Sequence, residues 1–287
     1  MIYKQLEEEY AKFCGSKYAV SCNTGTSALH LALLAIGIKK GDEVIVPDFT
    51  MSACGFAVSY CGAKVVTVDC GDDFNIDITK IEEKITKKTK AIMAVHIYGR
   101  LCDMKAIHKI AEKHKLKVIE DACEAQGAVY KSKADITCYS FYKNKIIHAE
   151  EGGISTTNNK KYADRMNFLK NMAFDKEHTY FHSEIGYNYR MPNSQARLAL
   201  FSLNNYPQEL KRRRAVEDYY YGKESHDAVW VIDLLAPTNE DREHIVKNFP
   251  NTRRFFKPLS TMPMWKQKVG KNALKYSEIG FYFIIDN

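Results

Sequence analysis

The segment from Cys138 to Gly153 contains the residues best placed to do chemistry. An apolar strand predicted over Ile136 to Phe141 leads into Lys143 and Lys145. A lysine just past the end of a strand lies where open α/β sheets hold their ligands. Most lysines are solvated surface residues, so position alone does not show which of the two is buried beside a ligand. Both amines are therefore candidates for covalent chemistry with a ligand.

Asp121 is the second candidate, because it closes an apolar strand 24 residues before Lys145 (145 − 121 = 24). This spacing suits two strand ends at one edge of the same sheet. A buried carboxylate at such an edge can pair with a protonated ring nitrogen of a ligand. The structural alternative is an aspartate that caps the N-terminus of a helix.

The turn from Asn23 to Thr26 precedes an apolar helix and is a candidate phosphate site. The free N–H groups and the dipole of a helix N-terminus favour a phosphate group. Gly25 lets the backbone come close to such a ligand. An ordinary helix cap is the alternative reading of this turn.

Predicted strands and helices alternate from Tyr18 to Phe141, which indicates a mostly parallel sheet with helices on both faces. Beyond Gly153 the pattern becomes helical. We place a domain boundary at Pro207, between a large α/β domain, 1–206, and a small C-terminal α/β domain, 207–287. The small domain contains two predicted helices, Gln208 to Tyr221 and Asn239 to Asn248, and one predicted strand between them, Val229 to Leu235.

The composition of the 287 residues is that of a soluble globular protein, and no apolar run approaches the length needed to span a membrane. Eight scattered cysteines without a C-x-x-C pair predict reduced thiols, a cytoplasmic location and no metal site. The net charge of +7 can favour anionic ligands such as nucleotides. The basic run from Lys211 to Arg214 has no interleaved aromatic residues, so we interpret it as an exposed helix face and predict no nucleic-acid partner.

Chemistry with pyridoxal phosphate (PLP) needs a lysine, a carboxylate at the ring nitrogen, a phosphate site and a group at the ring hydroxyl. The segment from Ser140 to Gly153 resembles the lysine segment of the DegT/DnrJ/EryC1/StrS family of sugar-nucleotide aminotransferases, S-F-x-x-x-K followed by T-T-G-E-G-G. The resemblance favours Lys145 over Lys143, because Asn144-Lys145 aligns with the pattern, and it implies that both Asn144 and Lys145 bind the cofactor. It implies a fold-type I PLP-dependent transferase with a sheet of the seven-stranded type.

Further motifs extend the resemblance along the chain. Gly25 and Thr26 match a G-T-x-A-L segment, which implies that they bind the cofactor phosphate, together with the hydroxyl of Ser140. The segment beginning Glu120-Asp121-Ala122 resembles E-D-A-x-[Q/E/H], which implies that Asp121 pairs with the ring nitrogen. Glu124 then falls near the ring hydroxyl, as in members of the type that makes perosamine.

Two later motifs concern assembly and substrate. The segment Gly186 to Pro192 resembles G-Y-N-[YF]-R-[ML], which implies that Asn188 reaches the cofactor phosphate of a neighbouring chain in a homodimer with shared sites. Arg190 can bind a carboxylate of the amino donor, or it can form a salt bridge at the interface. Arg253 lies in a T-R-x-F-F-x-P-L stretch that can border the substrate or pack in the core.

The chain departs from the family pattern near the cofactor site. His148, a candidate substrate-binding residue, and the next two residues replace T-T-G, so that Glu150 stands where the family has a glycine. A positive φ at that position would strain a glutamate. Met51 replaces the usual aromatic residue that stacks on the cofactor, and it can contact the ring through its sulfur. The chain is also shorter than the pattern at both ends, so the small domain is expected to be truncated.

These observations predict an aminotransferase that uses PLP and glutamate to aminate a nucleotide-linked 4-keto-6-deoxy sugar. The expected product is a 4-amino-4,6-dideoxy sugar such as perosamine or viosamine, with Lys145 and Asp121 as the catalytic residues. The alternative is a degenerate, non-catalytic member of the family that binds the cofactor or a sugar nucleotide. The altered segment at His148 and the change to Met51 are the features that favour this alternative.

Overall fold

A computed structural model describes residues 1–175 and 180–285, and its larger sheet confirms the predicted α/β fold. Among the described residues this sheet contains seven strands: β1 (Tyr18–Cys22), β2 (Glu43–Pro47), β3 (Lys64–Val68), β4 (Thr89–Val95), β5 (Lys117–Asp121), β6 (Ile136–Ser140) and β7 (Gly153–Thr157). Their order is β1-β7-β6-β5-β4-β2-β3. The strand β7 is antiparallel to both its neighbours, and the other neighbouring pairs are parallel.

Helices cover both faces of this sheet, as the alternating pattern predicts. They are α1 (Ile2–Cys14), α2 (Gly25–Ala35), α3 (Ala53–Tyr60), α4 (Met104–His114), α5 (Lys160–Lys170) and α6 (Asn193–Asn204). In β2, Val44 packs in the same cluster as α2 and α3, whereas Ile45 packs in the cluster of α4. The central strands are therefore buried on both sides, which is why they read as continuous apolar runs in the sequence.

A smaller antiparallel sheet follows. Its elements and their helices are α7 (Tyr206–Tyr221), β8 (Val231–Leu235), α8 (Asn239–Asn248), β9 (Thr252–Arg254), α9 (Lys271–Ile279) and β10 (Gly280–Ile284). The strand order is β8-β10-β9. This confirms an α/β arrangement in the later part of the chain, and the division into domains at 206/207 stays a prediction.

The two sheets meet where the chain leaves β4. The N–H of Ala228, just before β8, donates to the carbonyl oxygen of Gly99 at 2.9 Å. Gly99 has φ +84°, and a Cβ there would lie 1.8 Å from the carbonyl oxygen of Ala228. Arg100, the next residue, forms an ion pair with Asp233 of β8 at 2.9 Å. A glycine is required at this crossing, and the crossing brings β8 to the edge where β4, β5 and β6 end.

Three predictions about local structure were wrong or incomplete. From Gly153 onwards the chain forms three strands that were not predicted, β7, β9 and β10, in addition to the predicted strand at β8. The basic run is an exposed helix face only in part: Lys211 and Arg212 are exposed, whereas Arg213 is fully buried and its guanidinium donates to the carbonyl oxygen of Trp230 at 2.8 Å. The alternating pattern also predicts a helix between β3 and β4, and that connection forms only two single 3-10 turns, Ile78–Lys80 and Glu82–Lys84.

Each of the eight cysteines is free, and Cys123 is the one that is partly exposed rather than buried. None of the helices in the described part of the chain combines the length and the apolar character needed to cross a bilayer.

Candidate active site

A cavity of about 460 Å³ opens at the carboxyl edge of the larger sheet. Val95, Asp121 and Ser140 are the last residues of β4, β5 and β6, and all three line it. Because these strands are parallel, their ends meet at one edge, which is where open α/β sheets bind ligands. The volume lies in the range of small-molecule sites, which is roughly 300–1,000 Å³.

One end of the cavity is formed by the N-terminus of α2. The side chain of Thr24 caps this helix by accepting the N–H of Ser27 at 3.1 Å. Gly25 and Thr26 line the cavity in the first turn, whose N–H groups have no partner within a helix. A Cβ on Gly25 would lie 2.8 Å from the Cβ of Ser140, so glycine allows α2 to approach β6 closely. The turn can therefore serve both as a helix cap and as a phosphate site, because the side chain of Thr24 caps the helix while the first turn of α2 still faces the cavity.

Asp121 lies at the end of β5 and is only 5% exposed. Its carboxylate accepts the N–H of Cys123 at 3.0 Å and the thiol of Cys54 at 3.3 Å. Burial raises the pKa of the Cys54 thiol well above its usual value, and the charge of Asp121 adds to that rise, so the thiol stays a donor. A turn rather than a helix follows Asp121, which removes the alternative of a helix cap.

The structure separates the two candidate lysines. Lys145 is buried, and its Nζ lines the cavity 3.9 Å from the Oε1 of Glu124. On another side, the Nζ lies 3.5 Å from the centroid of the Trp230 ring. Lys143 is exposed and does not line the cavity. Lys145 is therefore the lysine whose amine can react with a ligand held there.

Glu124 is buried in the same wall of the cavity, where its Oε2 accepts the N–H of Tyr98 at 2.8 Å. Burial raises the pKa of the Glu124 carboxyl to about 7, although the charge of Lys145 and the hydrogen bond from Tyr98 oppose this rise. Near neutral pH this carboxyl is thus able to exist with or without its proton.

Met51 and Asn144 also line the cavity. The side chain of Met51 is 52% exposed, at a position that an aromatic ring would cover in the family pattern. The Oδ1 of Asn144 is buried and has no hydrogen-bond partner among the described residues. Eight of the nine residues predicted to bind a cofactor therefore share this cavity, and Asn188 is the ninth.

Asn188 and Arg190 line a neighbouring, wider depression between α1 and α5. The depression adjoins the cavity, because Thr24 and Glu151 line both. The guanidinium of Arg190 donates to the side chain of Asn171 at 3.0 Å. In a single chain neither predicted residue reaches the cavity, and both roles stay predictions.

His148 and Arg253 also lie outside the cavity in this chain. His148 lines a separate groove of about 270 Å³ beside α6, and its N–H donates to Ser202 at 3.1 Å. Arg253 is exposed on β9, and its guanidinium donates to the carbonyl oxygens of Pro250 and Thr252. The substrate-binding roles of both residues remain predictions.

Glu150, which stands where the family pattern has a glycine, adopts a backbone conformation with positive φ. Its φ is +62°, the left-handed conformation that favours glycine. The strain expected for a glutamate at this position is therefore present. Glu150 lies in the groove with His148, away from the cavity.

Sequence reasoning missed two aromatic residues that line the cavity from the later part of the chain, Trp230 and Tyr282. Phe256 is a third aromatic residue on the same side of the cavity. Phe256 belongs to the stretch around Arg253, for which the sequence allowed either a place beside the substrate or packing in the core. Phe256 lines the cavity, whereas Phe255 is buried against Phe49 and Tyr98. Trp230 carried a weak signal as one of two tryptophans, but its run of apolar neighbours reads only as a buried strand.

Residues 2–279 match the DegT/DnrJ/EryC1/StrS aminotransferase family. The chain belongs to this family. It is 46% identical over 301 residues to a protein of Caulobacter vibrioides named GDP-perosamine synthase, an alignment that covers 96% of this chain and 81% of the relative. The predicted family and the predicted class of enzyme, an aminotransferase, are confirmed.

Solved structures agree with this assignment. DesV of S. venezuelae superposes with a TM-score of 0.88 at 28% identity, covering 99% of this chain and 84% of DesV. NtdA of Bacillus subtilis, solved with its cofactor PMP bound, gives a TM-score of 0.82 at 30% identity and covers 99% and 72% of the two chains. The family fold is thus shared over nearly the whole of this chain.

Proposed function

We propose that the chain is a PLP-dependent aminotransferase that transfers an amino group from glutamate to a nucleotide-linked 4-keto-6-deoxy sugar. The product would be a 4-amino-4,6-dideoxy sugar. The relative named GDP-perosamine synthase favours perosamine as the amino sugar and a GDP-linked substrate. The observation that carries the proposal is the Lys145 amine and the Asp121 carboxylate in one cavity with the α2 N-terminus.

The residues of the cavity fit PLP in their chemistry. Gly25 leaves the first turn of α2 open beside Ser140, which suits a phosphate. The buried Oδ1 of Asn144 lacks a partner among the described residues and can accept a hydrogen bond from a ligand. The carboxylate of Asp121 is buried and accepts the N–H of Cys123, which suits it to pair with the ring nitrogen of the cofactor.

When bound, PLP supplies an aldehyde that links to amines and a ring that withdraws electrons from the adjoining carbon. Lys145 would hold the aldehyde and, once released, move a proton at the α-carbon of the amino donor. Asp121 would keep the ring nitrogen protonated. Trp230, Phe256 and Tyr282 line the cavity from the later part of the chain, and their rings would limit the access of water to a bound cofactor.

We also propose a homodimer in which each site uses residues of both chains. Asn188 supports this, because it lies in the depression next to the cavity rather than in the cavity of its own chain. Arg190, in the same depression, stays the candidate for the carboxylate of glutamate.

The experiment that tests the function compares Lys145→Ala with Lys143→Ala. The protein is titrated with PLP, and the visible absorbance band of the lysine-linked cofactor is recorded before and after glutamate is added. We expect the wild type and Lys143→Ala to form the band and to lose it with glutamate, and Lys145→Ala to form none. Turnover of a GDP-linked 4-keto-6-deoxy sugar should then regenerate the band.

A band that persists in Lys145→Ala would overturn the assignment of the lysine. A band that forms normally but does not respond to glutamate would favour the non-catalytic alternative.

A further inference from the structure

Trp230 makes two direct contacts with the segment that carries the reactive lysine. Its ring centroid lies 3.5 Å from the Nζ of Lys145. Its indole N–H donates to the carbonyl oxygen of Asn144 at 3.0 Å. Both contacts are shielded from water, since Trp230 is 4% exposed and Lys145 is 8% exposed. The same side chain therefore contacts the lysine amine and fixes the backbone next to it.

The position of the Trp230 ring is itself fixed from several sides. The buried guanidinium of Arg213 donates to the carbonyl oxygen of Trp230 at 2.8 Å. The ring stacks near Tyr98, with centroids 6.0 Å apart and planes 26° apart. Two residues earlier, Ala228 is held against Gly99. The ring is thus prearranged by the fold before any ligand binds.

Two neighbours of the Lys145 amine can attract an ammonium group, the face of the Trp230 ring and the carboxylate of Glu124. An ammonium group over the face of an indole ring is attracted to it, and more strongly when both are shielded from water. The Oε1 of Glu124 lies 3.9 Å from the same nitrogen and adds a second favourable contact when it is ionised. These contacts belong to a lysine that is not linked to a cofactor.

We propose that Trp230 is a positioning residue that binds the Lys145 amine in its released state, during the part of the reaction in which the lysine is not linked to the cofactor. This inference rests on the proposed function and adds a residue to it. A lysine that must alternate between linked and released states releases the cofactor more readily when the released amine has a favourable site to occupy.

A positioning role and a purely structural role of Trp230 predict opposite changes in how easily Lys145 is displaced from the cofactor. If the ring stabilises the released lysine, its removal should make the lysine harder to displace from the cofactor. If Trp230 only packed the cavity wall, its removal should loosen the cofactor and make the lysine easier to displace. The direction of the change therefore separates the two roles.

The first experiment measures how readily methylamine displaces Lys145 from PLP. The loaded protein is equilibrated with increasing methylamine, reduced with borohydride, and analysed by mass spectrometry for PLP attached to Lys145. We expect the half-displacement concentration to rise roughly tenfold in Trp230→Leu and less than about threefold in Trp230→Phe, which keeps a ring face. Trp265→Phe is the matched control, because Trp265 bonds to Ser59 away from the cavity and should leave the concentration unchanged.

An unchanged or lower half-displacement concentration in Trp230→Leu would overturn the proposal. Equal increases in Trp230→Leu and Trp230→Phe would overturn it as well, because the indole N–H rather than the ring face would then be responsible. If the wild type forms no adduct at Lys145 at all, the proposed function fails, and the second experiment decides the contact alone.

The second experiment needs no cofactor and no change at Trp230. The chain has two tryptophans, so Trp265→Phe leaves Trp230 as the only source of indole fluorescence. In that background Lys145→Met should shift the emission maximum of Trp230, because it removes a charge from the ring face. Lys143→Met, two residues away, should not. An emission maximum that is the same with and without Lys145 would contradict the contact.

Discussion

Glu124 shows how burial prepares a single residue for chemistry near neutral pH. Its carboxyl lies beside the Lys145 amine, and burial raises its pKa to about 7. In the unfolded chain the pKa of a glutamate is about 4.3. Because the folded state holds the proton more tightly, this group favours folding at low pH, and its contribution is lost as the pH rises through about 7.

We therefore expect Glu124→Gln to become progressively more stable than the wild type as the pH rises. Glutamine can still accept the N–H of Tyr98 but has no charge to bury. The difference in free energy of unfolding should grow by roughly 3 kcal/mol between about pH 5 and pH 8. Urea unfolding of the cofactor-free protein at several pH values measures this difference. A difference that stays constant across that range would contradict the raised pKa.

The connection between β6 and β7 carries the main departure from the family pattern at the scale of an element. Glu150 adopts φ +62° there, and its carbonyl oxygen accepts the N–H of Lys143 at 3.0 Å. The backbone thus keeps a conformation suited to glycine, although the side chain has changed. A side chain in this conformation costs roughly 1 kcal/mol or more.

Glu150→Gly should consequently stabilise the protein by roughly 0.5–1 kcal/mol, because relief of strain exceeds the added freedom of the unfolded chain. Glu150→Ala is the control, since it removes the charge but keeps the Cβ and hence the strain. The midpoints of thermal or urea unfolding of the two variants give the comparison. If alanine stabilises as much as glycine, the charge rather than the backbone would be the cause.

The elements around the cavity differ in how far the sequence reveals them. The strands that end at Asp121 and Ser140 and the turn at Gly25 were predictable, because local apolar runs and turn residues define them. The strand β7 was not, because its partners β1 and β6 are set by tertiary pairing. Glu150 could be identified as a departure, but its φ could be read only from the structure.

At the scale of the whole molecule, the cavity needs both sheets. The ends of the strands in the larger sheet and the turns after them contribute the lysine and the carboxylates, and the strands of the smaller sheet and the residues flanking them contribute the aromatic rings. The role of Trp230 could not be read from its neighbours in sequence, because its location depends on Gly99, 131 residues earlier (230 − 99 = 131). The sequence likewise indicated that Arg213 is a surface charge, whereas in the fold its buried guanidinium donates to the carbonyl oxygen of Trp230.

The proposed homodimer places a further part of the site in a second chain, and Asn188 is the residue that can test it. In its own chain Asn188 lines the outer depression and not the cavity, so contact with a cofactor phosphate would have to come from a neighbouring copy. Lys145→Ala and Asn188→Ala proteins should then each have little activity. Their mixed dimer would still contain one site with both residues, since Lys145 of one chain would meet Asn188 of the partner subunit.

Co-expression of the two variants with different affinity tags allows the mixed dimer to be purified and assayed for amino transfer. Random pairing gives about half mixed dimers, each with one complete site of two, so the unfractionated mixture should recover about a quarter of wild-type activity. The purified mixed dimer should recover about half. If Asn188 acted within its own chain, no site in the mixed dimer would have both residues, and activity would stay at the level of the single variants. Recovery therefore requires that the two chains share their sites, whereas its absence would leave each cavity complete within one chain.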